Sequence, residues 1–248
     1  MTELHLNGQP ITTVIFDLDG TLRYSIPGGD SFMLEKAVKL GVSCTPECLV
    51  KTRQWAHRYW ASSENLLLDQ QTYGKGERAF WENYARRTLE SLGADPVQVH
   101  ELASKLHEHM QAKYRPQDHI PADVVPTIRQ IKQAGMKAGL LTNRSDPPTE
   151  YLQASGLAAE LDFCVVAGYI GSWKPDPEAF YYSMGMAGSV PAETIYVGDN
   201  YYADIIGAQR AGMQAVLIDR ERIFPEPDCL TICEIGELLG LLGLDHNP

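Results

Sequence analysis

Residues 12–21 read TTVIFDLDGT, a short apolar run that leads into two aspartates, a glycine and a threonine. The run predicts a buried strand. Residues two apart in an extended chain project to the same side, so Asp17 and Asp19 can point at one place beyond its end. Gly20 can take the positive φ of a sharp turn. Close carboxylates repel each other unless a cation lies between them, which favours a bound hard metal such as Mg²⁺. An Asx-type turn after a strand is the alternative interpretation.

The charge composition disfavours two classes of binding partner. The chain has 248 residues, with 21 basic and 32 acidic side chains, giving a net charge of −11. A surface of that sign repels nucleic acid and anionic lipid, so we expect neither as a partner. An anionic ligand would have to be small and held by local cations. Residues 1–10 lack the features of a targeting signal, and no run approaches the ~20 apolar residues that span a bilayer. We therefore expect a soluble, cytoplasmic protein, either a monomer or a homodimer.

The cysteines and histidines outside these patterns are expected to be structural. Five cysteines, an odd number, do not suggest a disulfide scaffold in a chain of this length. Two C-x₃-C pairs could be zinc ligands, but the spacing also fits one helical face, which we favour. A polar helical region is expected to leave three histidines solvated: His100, His107 and His109.

Strand-like runs are absent for about a hundred residues after Thr21, and helical patterns replace them. Apolar residues recur every three or four positions in 30–40, 46–68 and 76–92, and again after Pro96. Four helices with such stripes predict a helical bundle.

From about Pro121 short apolar runs alternate with helical patterns. Runs at 136–142, 162–167, 194–197 and 214–218 follow helical segments, which implies a parallel sheet with right-handed crossovers. The strand before Asp17 must join this sheet. The sequence therefore predicts an α/β protein whose doubly wound parallel sheet is formed by residues 1–24 and 119–248, with a helical bundle, residues 25–118, inserted between the first and second strands.

In doubly wound sheets, ligands bind beyond the carboxyl ends of the strands. The second predicted strand ends at Thr142 and Asn143, whose hydroxyl and backbone N–H groups can hold an anionic oxygen. A Thr-Asn pair is also a common passage from strand to loop. The third strand is followed by Lys174-Pro175-Asp176-Pro177, where the prolines stiffen the loop and start a helix. A lysine there is usually solvated, but opposite carboxylates Lys174 would offset their charge.

The fourth strand ends in Gly198-Asp199-Asn200, with Asp204 four residues further on. One of the two aspartates could simply cap the next helix, but that does not explain both.

Taken together, these strand ends resemble the four motifs of the haloacid dehalogenase (HAD) superfamily of phosphotransferases. The matching elements are D-x-D-G-T at 17–21, a hydroxyl residue closing a strand at Thr142, K-P-D-P-x-x-F at 174–180, and G-D-x-x-x-x-D at 198–204. The motifs occur in the family's order and cover essentially the whole predicted core. In this resemblance the inserted helices are a C1 cap, a mobile lid placed after the first motif.

The resemblance implies a Mg²⁺-dependent phosphatase that acts through an aspartyl-phosphate. Asp17 would be the nucleophile, and Asp19 would protonate the leaving oxygen and then activate water. Mg²⁺ would be held by Asp17, the backbone carbonyl of Asp19 and Asp199. Phosphoryl oxygens would contact Thr142, the Asn143 amide and Lys174. The positions expected to support these groups from behind are Asp204, Asn200 and Thr21.

The substrate is expected to be a small phosphorylated metabolite whose identity the sequence does not give. Arg23-Tyr24-Ser25 departs from the residues that often follow D-G-T-L in this subfamily, so a particular relative's substrate does not transfer. Candidate specificity residues of the helical segment are Arg53, His57, Arg58, Tyr59, Lys75 and Arg78.

Three alternatives to a phosphatase remain open. A phosphomutase of the β-phosphoglucomutase type would need Lys75 or Arg78 to hold a second phosphate. The fold could also serve as a non-catalytic binding module. A dehalogenase would not need the acid at Asp19, because displacement of a halide leaves no alkoxide to protonate.

Overall fold

The structure is a computed structural model that describes residues 5–6 and 9–244. We expect no targeting signal in residues 1–10, and residues 1–4 and 7–8 of that segment lie outside the described residues. The first strands are β1 (His5–Leu6) and β2 (Gln9–Pro10), which pair antiparallel, followed by β3 (Thr13–Phe16) and β4 (Tyr24–Ile26). All four residues of β3 are buried, as expected of a strand covered on both faces of a sheet.

The next segment is helical, as predicted, but has five helices. They are α1 (Gly29–Lys39), α2 (Pro46–Trp60), α3 (Glu64–Tyr73), α4 (Arg78–Ser91) and α5 (Val99–Lys113), and the short strand β5 (Gln117–His119) follows them and pairs with β4.

The prediction of one helix over 46–68 is wrong, because a break separates α2 from α3. Ser62 takes a φ of 51°, and the Ser63 hydroxyl then accepts a hydrogen bond from the backbone N–H of Leu66 at 3.1 Å. That bond provides an acceptor for one of the backbone N–H groups that have no partner within the helix at its N-terminus. Periodicity alone did not reveal the break, since the apolar spacing continues across it.

The remaining elements alternate between helix and strand. In chain order they are α6 (Val124–Gln133), β6 (Lys137–Thr142), α7 (Thr149–Ala154), α8 (Leu157–Glu160), β7 (Phe163–Val166), α9 (Ala167–Ile170), α10 (Pro177–Ala187), β8 (Thr194–Gly198), α11 (Ile206–Arg210), β9 (Gln214–Ile218), β10 (Leu230–Ile232) and α12 (Leu238–Leu241).

Six strands form one parallel sheet in the order β10-β9-β8-β3-β6-β7. The first strand along the chain, β3, lies in the middle, with β6 on one side and β8 on the other. The prediction of a doubly wound parallel sheet is confirmed. The strand order reverses between β3 and β8, and crevices at such a reversal are where this architecture binds ligands.

The sheet has an apolar cluster on each face, because neighbouring residues along a strand point to opposite sides. Val14 and Phe16 of β3 pack in one cluster, together with residues of α6 and α12. Ile15 packs in the other, with residues of α10 and α11.

The chain divides into two compact units. One consists of residues 1–24 and 120–248, and the other of residues 25–119. The second unit has an apolar core of its own, in which Tyr84, Leu89 and Leu106 are among the buried side chains. None of the helices within the described residues is both long enough and apolar enough to cross a bilayer.

Two expectations about isolated residues are wrong. His107 is not solvated but buried in α5, beside Leu106 and Ala103 on the inward face of that helix. Burial lowers the pKa of His107, the direction expected for an imidazole removed from water. The C-x₃-C pairs do not share helical faces: Cys44 precedes the N-cap of α2, and Cys229 and Cys233 lie outside helices. All five cysteines are free thiols.

Candidate active site

The first motif follows β3 at the reversal of strand order. The backbone N–H of Asp17 donates to the carbonyl of Val197 at 2.9 Å, which extends the β3–β8 ladder by one residue. Asp17 therefore stands at the carboxyl edge of the sheet, next to the strand that precedes Asp199. The chain then turns at Gly20, whose N–H donates to the carbonyl of Arg23 at 2.7 Å.

Lys174 lies at the centre of the site and is only 2% exposed. Its ammonium group donates to Oδ1 of Asp17 at 2.6 Å, to Oδ1 of Asp204 at 2.7 Å and to the hydroxyl of Tyr196 at 2.9 Å. A buried cation is tolerated only where acceptors of this kind surround it. Lys174 is thus built into the carboxylate cluster and is not a solvated surface group.

Asn143 fixes the loop that carries Lys174. Its side-chain Nδ2 donates to the Lys174 carbonyl at 2.9 Å, and its Oδ1 accepts from the Lys174 N–H at 2.8 Å. The Asn143 side chain is therefore engaged with the protein backbone. Thr142 closes β6, the strand beside β3, and is buried.

Asp199 packs directly against the turn of the first motif. A Cβ added to Gly20 would lie 2.2 Å from Oδ2 of Asp199, so only glycine allows this approach. The Thr21 hydroxyl donates to Oδ1 of Asp199 at 3.2 Å. The structure thereby joins the first and fourth motifs through direct contact.

Asn200 and Asp204 organise the loop behind these groups. Oδ1 of Asn200 accepts from the backbone N–H groups of Tyr202 and Ala203, each at 3.0 Å. Oδ2 of Asp204 accepts from the N–H of Asn200 at 2.9 Å, while its Oδ1 contacts Lys174. Asp204 therefore links the loop after β8 to the buried lysine.

The carboxylates of Asp17, Asp199 and Asp204 can each offer one oxygen such that all three oxygens lie within 4.8 Å of one another. Burial is the main cause that raises the pKa of Asp17, with Lys174 opposing it. Burial, reinforced by Asp204, raises the pKa of Asp199 to about 7. The pKa of Lys174 is also raised, because Asp17 and Asp204 outweigh the opposing effect of burial. The lysine thus remains protonated. Asp17 and Asp199 bind a proton more readily than an ordinary aspartate, which indicates that their negative charges are not fully compensated.

This donor set fits a divalent cation. When all three carboxylates are ionised, they and the ammonium of Lys174 carry a net charge of −2, which a metal ion such as Mg²⁺ would balance, and carboxylate oxygens are the ligands that Mg²⁺ takes in proteins. The cluster contains Asp204, expected only in a supporting position, and does not contain the side chain of Asp19.

Sequence reasoning did not predict the partners of Asp19. The guanidinium of Arg144 donates through Nε to Oδ2 of Asp19 and through Nη2 to Oδ1, both at 2.7 Å. Nε of Arg23 lies 3.1 Å from Oδ1 of Asp19. Arg144 lies two residues beyond the end of β6, so inspection of the residues that follow each strand would have identified it.

Arg220 was also missed, although it follows the end of β9. It donates to the backbone carbonyls of Gly20 at 2.5 Å and Thr21 at 2.8 Å, and its guanidinium lies over the ring of Tyr24. These contacts brace the turn of the first motif.

Two candidate specificity residues of the helical unit have structural partners. The Tyr59 hydroxyl is buried and donates to Asp69 at 2.9 Å. Arg78 forms an ion pair on the helix surface with Glu82, at 2.9 Å. Neither contact requires a ligand.

The cluster of carboxylates around a buried lysine lies at the carboxyl edge of a doubly wound sheet, which is where this class of α/β protein binds its ligands. The family described as haloacid dehalogenase-like hydrolase matches residues 11–212. The chain belongs to this family, and the prediction of a HAD-like hydrolase is confirmed.

The chain is similar to proteins that are named for different activities. The chain is 28% identical to a phosphoserine phosphatase of Thermus thermophilus, over 91% of this chain and 95% of that protein. It is 29% identical to a glyceraldehyde 3-phosphate phosphatase of Methanopyrus kandleri, over 85% of this chain and 84% of that protein. A 2-haloacid dehalogenase of Pseudomonas syringae has a similar structure, with a TM-score of 0.51 and 27% identity, covering 94% of this chain and 98% of the other.

Proposed function

We propose that this protein is a Mg²⁺-dependent phosphatase that hydrolyses a small phosphomonoester through an aspartyl-phosphate on Asp17. The observation that carries the proposal is the environment of Asp17, whose Oδ1 is held by Lys174 within a cluster of carboxylates. Lys174 holds Oδ1, and we assign the attack on phosphorus to the other oxygen, Oδ2. The phosphatase relatives support the same reaction.

Asp17, Asp199 and the backbone carbonyl of Asp19 would hold the Mg²⁺, with Asp204 behind them. When bound, the ion supplies charge that draws a phosphoryl group to the anionic site and stabilises the oxygens of the transition state.

In the first step an Asp17 oxygen attacks phosphorus, and the bond between phosphorus and the leaving oxygen breaks. Asp19 gives the leaving oxygen a proton and then removes one from the water that hydrolyses the acyl phosphate. Lys174 orients the Asp17 carboxylate through its hydrogen bond and offsets the charge of the incoming phosphoryl group. Most of the rate enhancement in phosphoryl transfer comes from such positioning and charge.

The Thr142 hydroxyl and the backbone N–H of Asn143 are proposed to bind phosphoryl oxygens. The Asn143 side chain already holds the Lys174 backbone, so its backbone amide is the group that remains for the substrate.

The helical unit, residues 25–119, is proposed to act as the C1-type cap of this enzyme. Such a lid excludes bulk water during the reaction and selects the substrate.

Turnover of phosphomonoesters tests the proposal. The purified protein should hydrolyse p-nitrophenyl phosphate in the presence of Mg²⁺, lose activity in EDTA and regain it when Mg²⁺ is restored. A panel should include phosphoserine and glyceraldehyde 3-phosphate. D17N should lose at least about 1,000-fold in kcat, since removal of a nucleophile leaves only binding and field effects. D95N, which changes an exposed aspartate of the helical unit, is the matched control. Equal activity of D17N and the wild type would exclude the mechanism.

The dehalogenase likeness gives a second candidate, because the similarity includes a 2-haloacid dehalogenase. The presence of Asp19 argues against a dehalogenase, because displacement of a halide needs no acid. Halide release from a 2-haloacid, without phosphatase activity, would favour this candidate over ours. Isomerisation of a sugar phosphate without release of inorganic phosphate would instead identify a phosphomutase.

A further inference from the structure

The carboxylate of Asp19 is held in a two-point ion pair. Nε and Nη2 of Arg144 each donate at 2.7 Å, one to either oxygen of Asp19, and Arg23 adds a contact at 3.1 Å. Paired N–H donors of a guanidinium fix both the distance and the plane of a carboxylate. Both oxygens of Asp19 therefore face Arg144.

This arrangement conflicts with the work proposed for Asp19. An acid and base must direct an oxygen at the leaving oxygen of the ester, whereas Arg144 holds both Asp19 oxygens toward itself. The Arg144 pair must therefore loosen when substrate binds, and the two donors that it gives up then become available to another acceptor.

The pair is accessible, in contrast to the lysine cluster. The side chains of Arg144 and Asp19 are 32% and 36% exposed, whereas those of Lys174 and Asp204 are 2% and 1% exposed. A solute can thus reach the guanidinium of Arg144 without opening the buried cluster.

We propose that Arg144 binds a carboxylate of the substrate, and that this carboxylate replaces Asp19 on Nε and Nη2. The inference rests on the proposed phosphatase function and names its substrate class: phosphomonoesters with a carboxylate close to the ester oxygen. No covalent bond changes in the exchange. Two N–H donors pass from one carboxylate to another, and Oδ2 of Asp19 becomes available to the leaving oxygen while Arg23 stays at Oδ1.

The displaced group indicates which anion fits. The fork of Arg144 already holds a carboxylate side-on, so an incoming carboxylate reproduces the same two hydrogen bonds in the same plane. Because Asp19 must act on the ester oxygen while Arg144 holds the new anion, the carboxylate has to lie on a carbon near that oxygen.

A matched pair of esters tests this. Phosphoglycolate and ethyl phosphate have the same chain length and differ in the carboxylate. The wild type should favour phosphoglycolate by about 10-fold or more in kcat/KM, the scale of a hydrogen bond to a charged group. R144Q should abolish the preference, with a higher KM and a lower kcat for phosphoglycolate. R144K, which keeps the charge but not the fork, should give an intermediate ratio.

R129Q is the control, because Arg129 also pairs with an acid but lies on the surface of the same unit, 59% exposed. It should leave the ratio of the two esters unchanged. A purely structural role of Arg144 would lower turnover of both esters equally and would overturn the inference, as would a wild-type ratio near one. If either of those results is observed and p-nitrophenyl phosphate is still hydrolysed, only the carboxylate inference fails and the phosphatase proposal stands. If none of the three esters is hydrolysed, the phosphatase proposal itself is contradicted.

Discussion

Gly20 is the residue on which the approach of two motifs depends. It has a φ of +99°, a conformation that side chains disfavour, and the space where a Cβ would stand is filled by the carboxylate of Asp199. The turn thus has two roles. It redirects the chain after β3, and it lets the carboxylate of Asp199 in the fourth motif come close to the first motif.

We predict that G20A impairs the site far more than its backbone conformation alone explains. G41A is the matched control, because Gly41 has a φ of +95° but no atom within 4 Å of the added Cβ. G41A should cost about 1 kcal/mol of unfolding free energy and leave kcat/KM unchanged. G20A should also displace Asp199 and lower kcat/KM by about 100-fold. Urea unfolding and steady-state kinetics measure both, and similar kinetics for the two variants would refute the prediction.

At the level of residues, the sequence was most informative where the chemistry is local. Asp17 and Asp19 could be predicted as site residues because both lie within three residues of the end of β3. The contact between Arg144 and Asp19 could not be predicted, because 125 positions separate the two residues and nothing in the local pattern marks one as the partner of the other. Asp204 was placed behind the metal ligands, since its distance from Asp17 depends on how β8 and β3 pair.

Among the elements, α2, α3 and α4 are joined by one buried carboxylate. Asp69 of α3 is 2% exposed and accepts hydrogen bonds from Tyr59 of α2 at 2.9 Å and from Nη2 of Arg87 of α4 at 2.8 Å. Burial and the neighbouring Asp69 raise the pKa of Tyr59 beyond the physiological range, so its hydroxyl stays a donor. This network fixes α3 against both neighbours.

Substitution of Asp69 by alanine should therefore loosen the helical unit. D69A leaves Arg87 without its buried partner and should lower the unfolding free energy by about 3–5 kcal/mol. Hydrogen exchange should show faster exchange in α2, α3 and α4, with the strands of the sheet unchanged. E101A removes an acid that pairs with Lys105 on the helix surface and should have no measurable effect. Equal exchange in the two variants would rule out a special role for Asp69.

Elements marked by an apolar run or a periodic pattern could be predicted, and elements without such a mark could not. The strands β3, β6, β8 and β9 follow apolar runs that turn signals delimit. The edge strand β10 has three residues and only one fully buried side chain, Ile232, which is too short for a period to be visible. His107 was judged by its polar neighbours in sequence, but in a helix the residues three and four positions away determine burial.

For the whole molecule, the charge of the site links metal binding to stability. Burial, reinforced by Asp204, raises the pKa of Asp199 in the folded chain to about 7, well above the usual range of an aspartate. The folded state therefore binds a proton more tightly than the unfolded state. The stabilisation from this group is complete below about pH 4 and is lost as the pH rises through 7. In the proposed site Mg²⁺ binds the ionised form of Asp199, so it should restore the stability that ionisation removes.

Thermal unfolding with and without Mg²⁺ should show this linkage. At pH 8 saturating Mg²⁺ should raise Tm by about 5 °C or more, and at pH 5 the shift should be much smaller. D199N cannot ionise at this position, so its Tm without metal should fall less than that of the wild type between pH 5 and 8, and its Mg²⁺ shift should be reduced. A Mg²⁺ effect that is independent of pH would contradict the assignment of Asp199 to the metal.

The central place of β3 also dictates an order of events during synthesis. β3 leaves the ribosome before both of its neighbours, β6 and β8, which are encoded more than a hundred residues later. Until then an apolar strand has no pairing partner, a state that favours aggregation. The intervening helical unit can fold in the meantime, and because β4 pairs with β5 it draws its own two ends together. The entropic penalty of joining β3 to β6 then becomes that of a short loop. The helical unit can thus fold first, and the carboxylate cluster is complete only when the loop that bears Asp204 emerges.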